Sequence, residues 1–65
     1  MDWLLMIGTG VVSTALFEGP SLEACQAAFN LQRARIVELA PERAYCASKT
    51  TGEIHWYIKG GKDVQ

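Results

Sequence analysis

Apolar positions open the chain as a continuous run, Trp3 to Ile7, and resume after Gly8-Thr9-Gly10 as the β-branched and aromatic stretch Val11 to Phe17. That composition suits a pleated, half-buried surface, so both stretches read as strand. Alternation divides the second into Val11, Ser13, Ala15 and Phe17 on one side and Val12, Thr14 and Leu16 on the other, and ranks neither face. Gly8-Thr9-Gly10 fits a hairpin loop between two strands or a bulge in one long strand.

Glu18-Gly19-Pro20 ends this region, because proline cannot continue a ladder, and Ser21 stands where a helix N-cap is wanted. Beyond it Leu22, Cys25, Ala28, Phe29, Gln32 and Ile36 recur at three- and four-residue spacing, a stripe able to cover a sheet. Pro41 disfavours helix at Ala40, which puts the end between Arg35 and Leu39. The last signal is a hairpin: Arg43 to Ser48 and Glu53 to Ile58 flank Lys49-Thr50-Thr51-Gly52. In its second strand Ile54, Trp56 and Ile58 alternate with His55 and Tyr57, and the more apolar set is assigned to the helix. Residues 60–65 read as a polar tail.

These elements predict a single α+β domain over residues 1–65. One helix packs on one face of a small antiparallel sheet of three or four strands, in the order β(β)-α-β-β. The other sheet face has no element left to cover it. On it the alternation places Tyr45, Tyr57, His55 and Arg43, with Trp3 as a further member, and such an amphipathic aromatic surface has the composition of protein interfaces.

Composition narrows the partners. Six bases stand against seven acids in 65 residues, and all six bases fall between Arg33 and Lys62. A pI near 5.6 is far from the basic range of nucleic-acid-binding domains, and stacking residues alone lack the basic groove that single-strand binders use. The apolar start is broken by Gly8, Thr9, Gly10, Ser13 and Thr14, short of the roughly 20 apolar residues of a membrane span. Asp2, with no base before the apolar run, reads against a secretory signal. The expected compartment is therefore the cytoplasm.

Catalytic and metal chemistry finds little footing. Cys25 and Cys46 both point to the core, where they are either a helix-to-sheet disulfide worth roughly 3 kcal/mol or two buried thiols. Two cysteines and one histidine do not complete a four-ligand zinc site, so no metal is expected. Gly8-Thr9-Gly10-Val11-Val12-Ser13 imitates a dinucleotide fingerprint, but no helix follows and the chain cannot hold that fold, so no cofactor is expected either. His55, assigned to the face opposite Cys46, does not form a Cys/His nucleophile pair. The chain reads as non-enzymatic.

The apolar start Trp3-Leu4-Leu5, the strand ending at Phe17, Ser21-Leu22-Glu23-Ala24-Cys25-Gln26-Ala27-Ala28 and Arg43-Ala44-Tyr45-Cys46 together resemble small two-cysteine proteins of tailed phages and prophages, over residues 3–47. Ala47 to Gln65 departs from that pattern by adding a strand. The resemblance implies a phage origin, and with it a bacterial host cytoplasm as the compartment or, alternatively, the virion or periplasm; it brings no activity or site residues. Two functions follow as expectations. One is a phage-type binding module that docks on a larger host protein through the open aromatic face, as an inhibitor. The other is a structural or virion accessory protein, or a homo-oligomer that covers the same face with its own copy.

Overall fold

A computed structural model describes residues 2–64. Five strands and one helix follow in the order β1 (Trp3–Thr9), β2 (Val12–Gly19), α1 (Leu22–Leu39), β3 (Arg43–Ser48), β4 (Ile54–Lys59) and β5 (Lys62–Asp63). The sheet is antiparallel throughout, with spatial order β2-β1-β3-β4-β5, and α1 packs on one face. This is the α+β architecture the sequence predicts, with five strands instead of three or four. The N-terminal region is a hairpin: Gly10, at φ 63°, takes the first loop position, where a two-residue turn of the primed type needs a positive φ. The assigned polar tail is also a hairpin in part. Gly60 and Gly61, both at positive φ, turn the chain so that Lys62 and Asp63 pair with Lys59 and Ile58.

The helix forms where its signals place it. The Ser21 side chain accepts a hydrogen bond from the Ala24 N–H at 3.2 Å, satisfying one of the first-turn donors. At the other end Ala40 adopts the left-handed conformation, φ 50° and ψ 54°, and donates to the Ile36 and Val37 carbonyls, both at 3.1 Å. Pro41 follows and lacks the N–H a further turn would need.

The core lies between α1 and the inner sheet face. Leu5, Cys25, Ala28, Phe29, Ile36, Ala44, Cys46 and Tyr57 are buried, and Trp3, Ile7, Leu16, Phe17, Leu22 and Ile58 pack against them. Cys25 and Cys46 are joined as a disulfide between helix and sheet, 21 residues apart in sequence and fully buried at both ends. Both cysteines are thus bonded, and the alternative of two buried thiols is set aside.

Two irregularities decide which side chains face inward. Leu5 pairs with Phe17 and Met6 with Ala15, so Leu16 is an extra residue and packs inward together with Phe17. Likewise Ala44 pairs with Ile58 and Tyr45 with Trp56, leaving Tyr57 as the extra residue in β4. Tyr57 and Ile58 therefore both reach the core, while Ile54 and Trp56 do not. This overturns the assignment of Ile54 and Trp56 to the helix side, which assumed unbroken alternation.

Candidate functional site

The sheet face opposite α1 is built from cross-strand rows. One row runs Glu18, Leu4, Ala47, Ile54; the next runs Ala15, Met6, Tyr45, Trp56; the third runs Ser13, Gly8, Arg43, Lys59, Lys62. No helix lies over them among the described residues. The first two rows are apolar apart from Glu18, and the third is basic at its β4–β5 end.

At the centre, the Tyr45 and Trp56 rings meet at 4.8 Å between centroids with planes inclined by 48°. Lys59 extends its ammonium over the Trp56 ring, 5.3 Å from the centroid, a cation–π contact that holds the indole in place. Both aromatics are only half-buried, and Ile54 is 46% exposed. Leu4 and Met6 supply the apolar floor beside them from β1, also half-buried. Large, stiff aromatic surface with a polar tip is what binding hot spots use, because it loses little side-chain freedom on docking.

Arg43 borders this surface and also braces it. Its guanidinium donates to the Gly10 carbonyl at 2.8 Å, the Val12 carbonyl at 3.2 Å and the Ser13 hydroxyl at 3.3 Å, fastening the β1–β2 turn to β3. Gly8 lies beneath that side chain; a Cβ there would collide with the guanidinium, with the Ser13 hydroxyl and with the Val12 carbonyl. The neighbouring Glu42 carboxylate accepts from the Gly10 N–H at 2.9 Å, so charged groups of both signs hold the one turn. At the far end of the face Glu18 is paired with Lys49, which holds its carboxyl below the usual range.

Of the five residues expected on the open face, Tyr45 and Arg43 lie there. Tyr57 does not. It is 3% exposed, stacked on Phe29 with centroids 4.2 Å apart and planes 14° apart, and its hydroxyl donates to Cys46 Sγ at 3.4 Å. Burial pushes its phenol pKa up, partly offset by a hydrogen bond with Gln26. Its polar tip finds partners inside the core, which is why a tyrosine can be buried there.

His55 and Trp3 are also on the helix side. His55 is the register partner of Cys46, its ring lies 5.9 Å from that of Trp3, and its Nε2 is 2.8 Å from the Glu53 carboxylate. The expectation that His55 and Cys46 occupy opposite faces is therefore corrected. Cys46 is nonetheless no nucleophile, because its sulfur is bonded to Cys25.

Four contributors are not identified from the sequence: Trp56, Leu4, Met6 and Asp2. Trp56 was assigned inward, and only the extra residue in β4 turns it out. Leu4 and Met6 were left unassigned, although a signal existed: Trp3 to Ile7 is apolar at every position, which marks a central strand apolar on both faces. Asp2 is the fourth. Its carboxylate accepts from the Ser48 hydroxyl at 2.9 Å, from the Thr50 N–H at 3.0 Å and from the Thr50 hydroxyl, clamping the chain start to the β3–β4 loop. The side-chain hydrogen bonds from Thr50 and then Ser48 hold this carboxyl below its ordinary range.

A concavity of about 280 Å³ lies between the end of α1 and the β4–β5 hairpin, lined by Phe29, Arg33, Val37, Pro41, Ile58 and Asp63 among others. Its volume is at the small end for ligand pockets, roughly 300 Å³. Arg33 spans it, 5.5 Å over the Phe29 ring and 3.4 Å from the Asp63 carboxylate. Among the described residues no group of three or more His, Cys, Asp or Glu could hold a metal ion, and no helix is long and apolar enough to cross a membrane. Comparison with protein-family models, with curated proteins and with solved structures gives no match for this chain.

Proposed function

We propose that the chain is a non-enzymatic binding module that docks on a larger protein through the open sheet face, with Tyr45 and Trp56 as its anchors. The observation that carries this reading is the Tyr45–Trp56 pair, half-buried at the centre of an apolar face that no element among the described residues covers. Apolar surface left in water costs about 25 cal/mol per Å², and a domain this small has little stability to spare for it without a use. The charge pattern adds the chemistry of the partner. Lys59, Lys62 and Arg43 share one row, so the matching surface is apolar at its centre and carries carboxylates along one border.

In this proposal Tyr57, His55 and Trp3 support the fold instead of touching the partner. With the phage origin that the resemblance implies, the partner in this proposal is a host protein, which the docked module inhibits by steric block. The disulfide favours the virion or periplasm over a reducing cytoplasm, because such bridges persist in oxidising compartments.

The test is affinity capture from bacterial host extract with the wild-type chain beside Tyr45→Ala/Trp56→Ala, whose far-UV circular dichroism establishes that it is folded. One dominant protein captured by the wild type and lost with the variant supports the proposal. Equal capture by both sinks it.

A further inference from the structure

The two lateral edges of the sheet are built differently. One ends in β5, which is two residues long, charged at both positions and set off by Gly60-Gly61. Short, charged edge strands are the usual means by which a sheet blocks further pairing. The other edge is β2, eight residues long, with Glu18 as its one charge and neither lysine nor proline from Val12 to Gly19. Val12, Ser13, Thr14 and Ala15 are all exposed. Beside them Val11 is 101% and Val12 63% exposed, which is costly placement for apolar side chains.

We infer that β2 is an interface between two copies of this chain, paired antiparallel about a two-fold axis at Thr14. The segment is its own complement in that register. Thr14 faces Thr14 of the second copy, Ser13 faces Ala15, Val12 faces Leu16, and Val11 of the turn comes over Phe17. Thr–Thr and apolar cross-strand pairs are among the favourable ones, and no like charges meet, since Glu18 lies opposite Gly10. The paired segment, Val12 to Leu16, is bounded at one end by the turn and at the other by the extra residue at Leu16, where the strand bends. Registers centred closer to Gly19 bring the two Glu18 carboxylates together and leave Val11 and Val12 in water.

A two-fold axis perpendicular to the sheet keeps both helices on one side. It joins the two sheets edge to edge and merges the two open faces into one platform, leaving Tyr45 and Trp56 uncovered. The dimer is therefore independent of what the open face binds.

Sedimentation velocity of the pure full chain, from micromolar to millimolar, tests this together with Thr14→Lys, which sets two ammonium groups against each other across the axis. The expected result is a concentration-dependent dimer for the wild type, a monomer for Thr14→Lys with unchanged far-UV circular dichroism, and a dimer for a Trp56→Ser control. Should Thr14→Lys disturb the fold, Val11→Glu, in the exposed turn, gives the second reading and must weaken the dimer. A wild type that stays monomeric at millimolar concentration overturns the inference. So does a dimer that survives the folded edge variants, or one lost with Trp56→Ser alone, which would place self-association on the open face.

Discussion

Removing the disulfide is the perturbation whose size follows most directly from the structure. Cys25 in α1 and Cys46 in β3 close a loop with a sequence separation of 21. A loop of that length loses about 11 cal/mol/K of chain entropy in the unfolded state, or about 3 kcal/mol at 25 °C. A 65-residue domain has a total stability on the order of 3 to 10 kcal/mol, so the bridge accounts for a third or more of it. At about 4 to 8 °C per kcal/mol, its loss lowers Tm by roughly 12 to 24 °C. Both sulfurs are fully buried, and truncating them also removes packing. Two samples separate these effects. The reduced wild type keeps its sulfur atoms and reports the loop constraint, while Cys25→Ala/Cys46→Ala reports the constraint plus the lost packing and melts lower still. Thermal melts followed by circular dichroism, with intact mass checking the oxidation state, read both. A drop below about 5 °C on reduction would refute the reasoning.

Tyr57→Ala should destabilise the domain by about 3 to 5 kcal/mol, as for other buried aromatics, whereas Tyr45→Ala should change denaturant stability by under about 1 kcal/mol. Equal effects would mean that Tyr57 is not the core residue its stacking on Phe29 indicates. Ala40→Gly should raise stability by about 0.5 to 1 kcal/mol, because Ala40 holds a left-handed backbone that glycine adopts without strain; a lower melting temperature would contradict that. Asp2 has a folded-state pKa depressed below its ordinary 3.8, so its stabilisation is present above that value and is lost as pH falls through the lower, folded one. Stability measured by urea titration should therefore decline below about pH 4, and Asp2→Asn should make that decline shallower. An identical acid limb in Asp2→Asn would show that the clamp on Ser48 and Thr50 does not matter energetically.

The sequence-level signals that succeeded here were local ones. Ser21, Pro41 and the spacing of Leu22, Cys25, Ala28, Phe29, Gln32 and Ile36 define α1 almost to its ends, because caps and periodicity act within a turn or two. Arg43 to Ser48 and the following strand were legible for the same reason. The failures all concern facing. Strand alternation carries the side of a residue only until one residue is inserted, and the β1–β2 and β3–β4 hairpins each contain such an insertion, at Leu16 and at Tyr57. His55-Trp56-Tyr57-Ile58 is amphipathic in either setting, so the choice falls to tertiary packing, namely the stacking of Tyr57 on Phe29. Hence the open face itself was legible from the shortage of elements to cover it, while three of its five named residues were not. The final hairpin was missed because a two-residue strand carries no periodicity at all.

The central claim is that partners meet the open sheet face at Tyr45 and Trp56. Its most direct test places a photo-cross-linking amino acid in turn at position 45, on that face, and at position 31, where Leu31 is 88% exposed on the helix. After irradiation in host extract, mass spectrometry identifies what is joined to each. The account predicts one defined protein cross-linked from position 45 and not from position 31. Cross-links to a defined protein from position 31 with none from position 45 would contradict it.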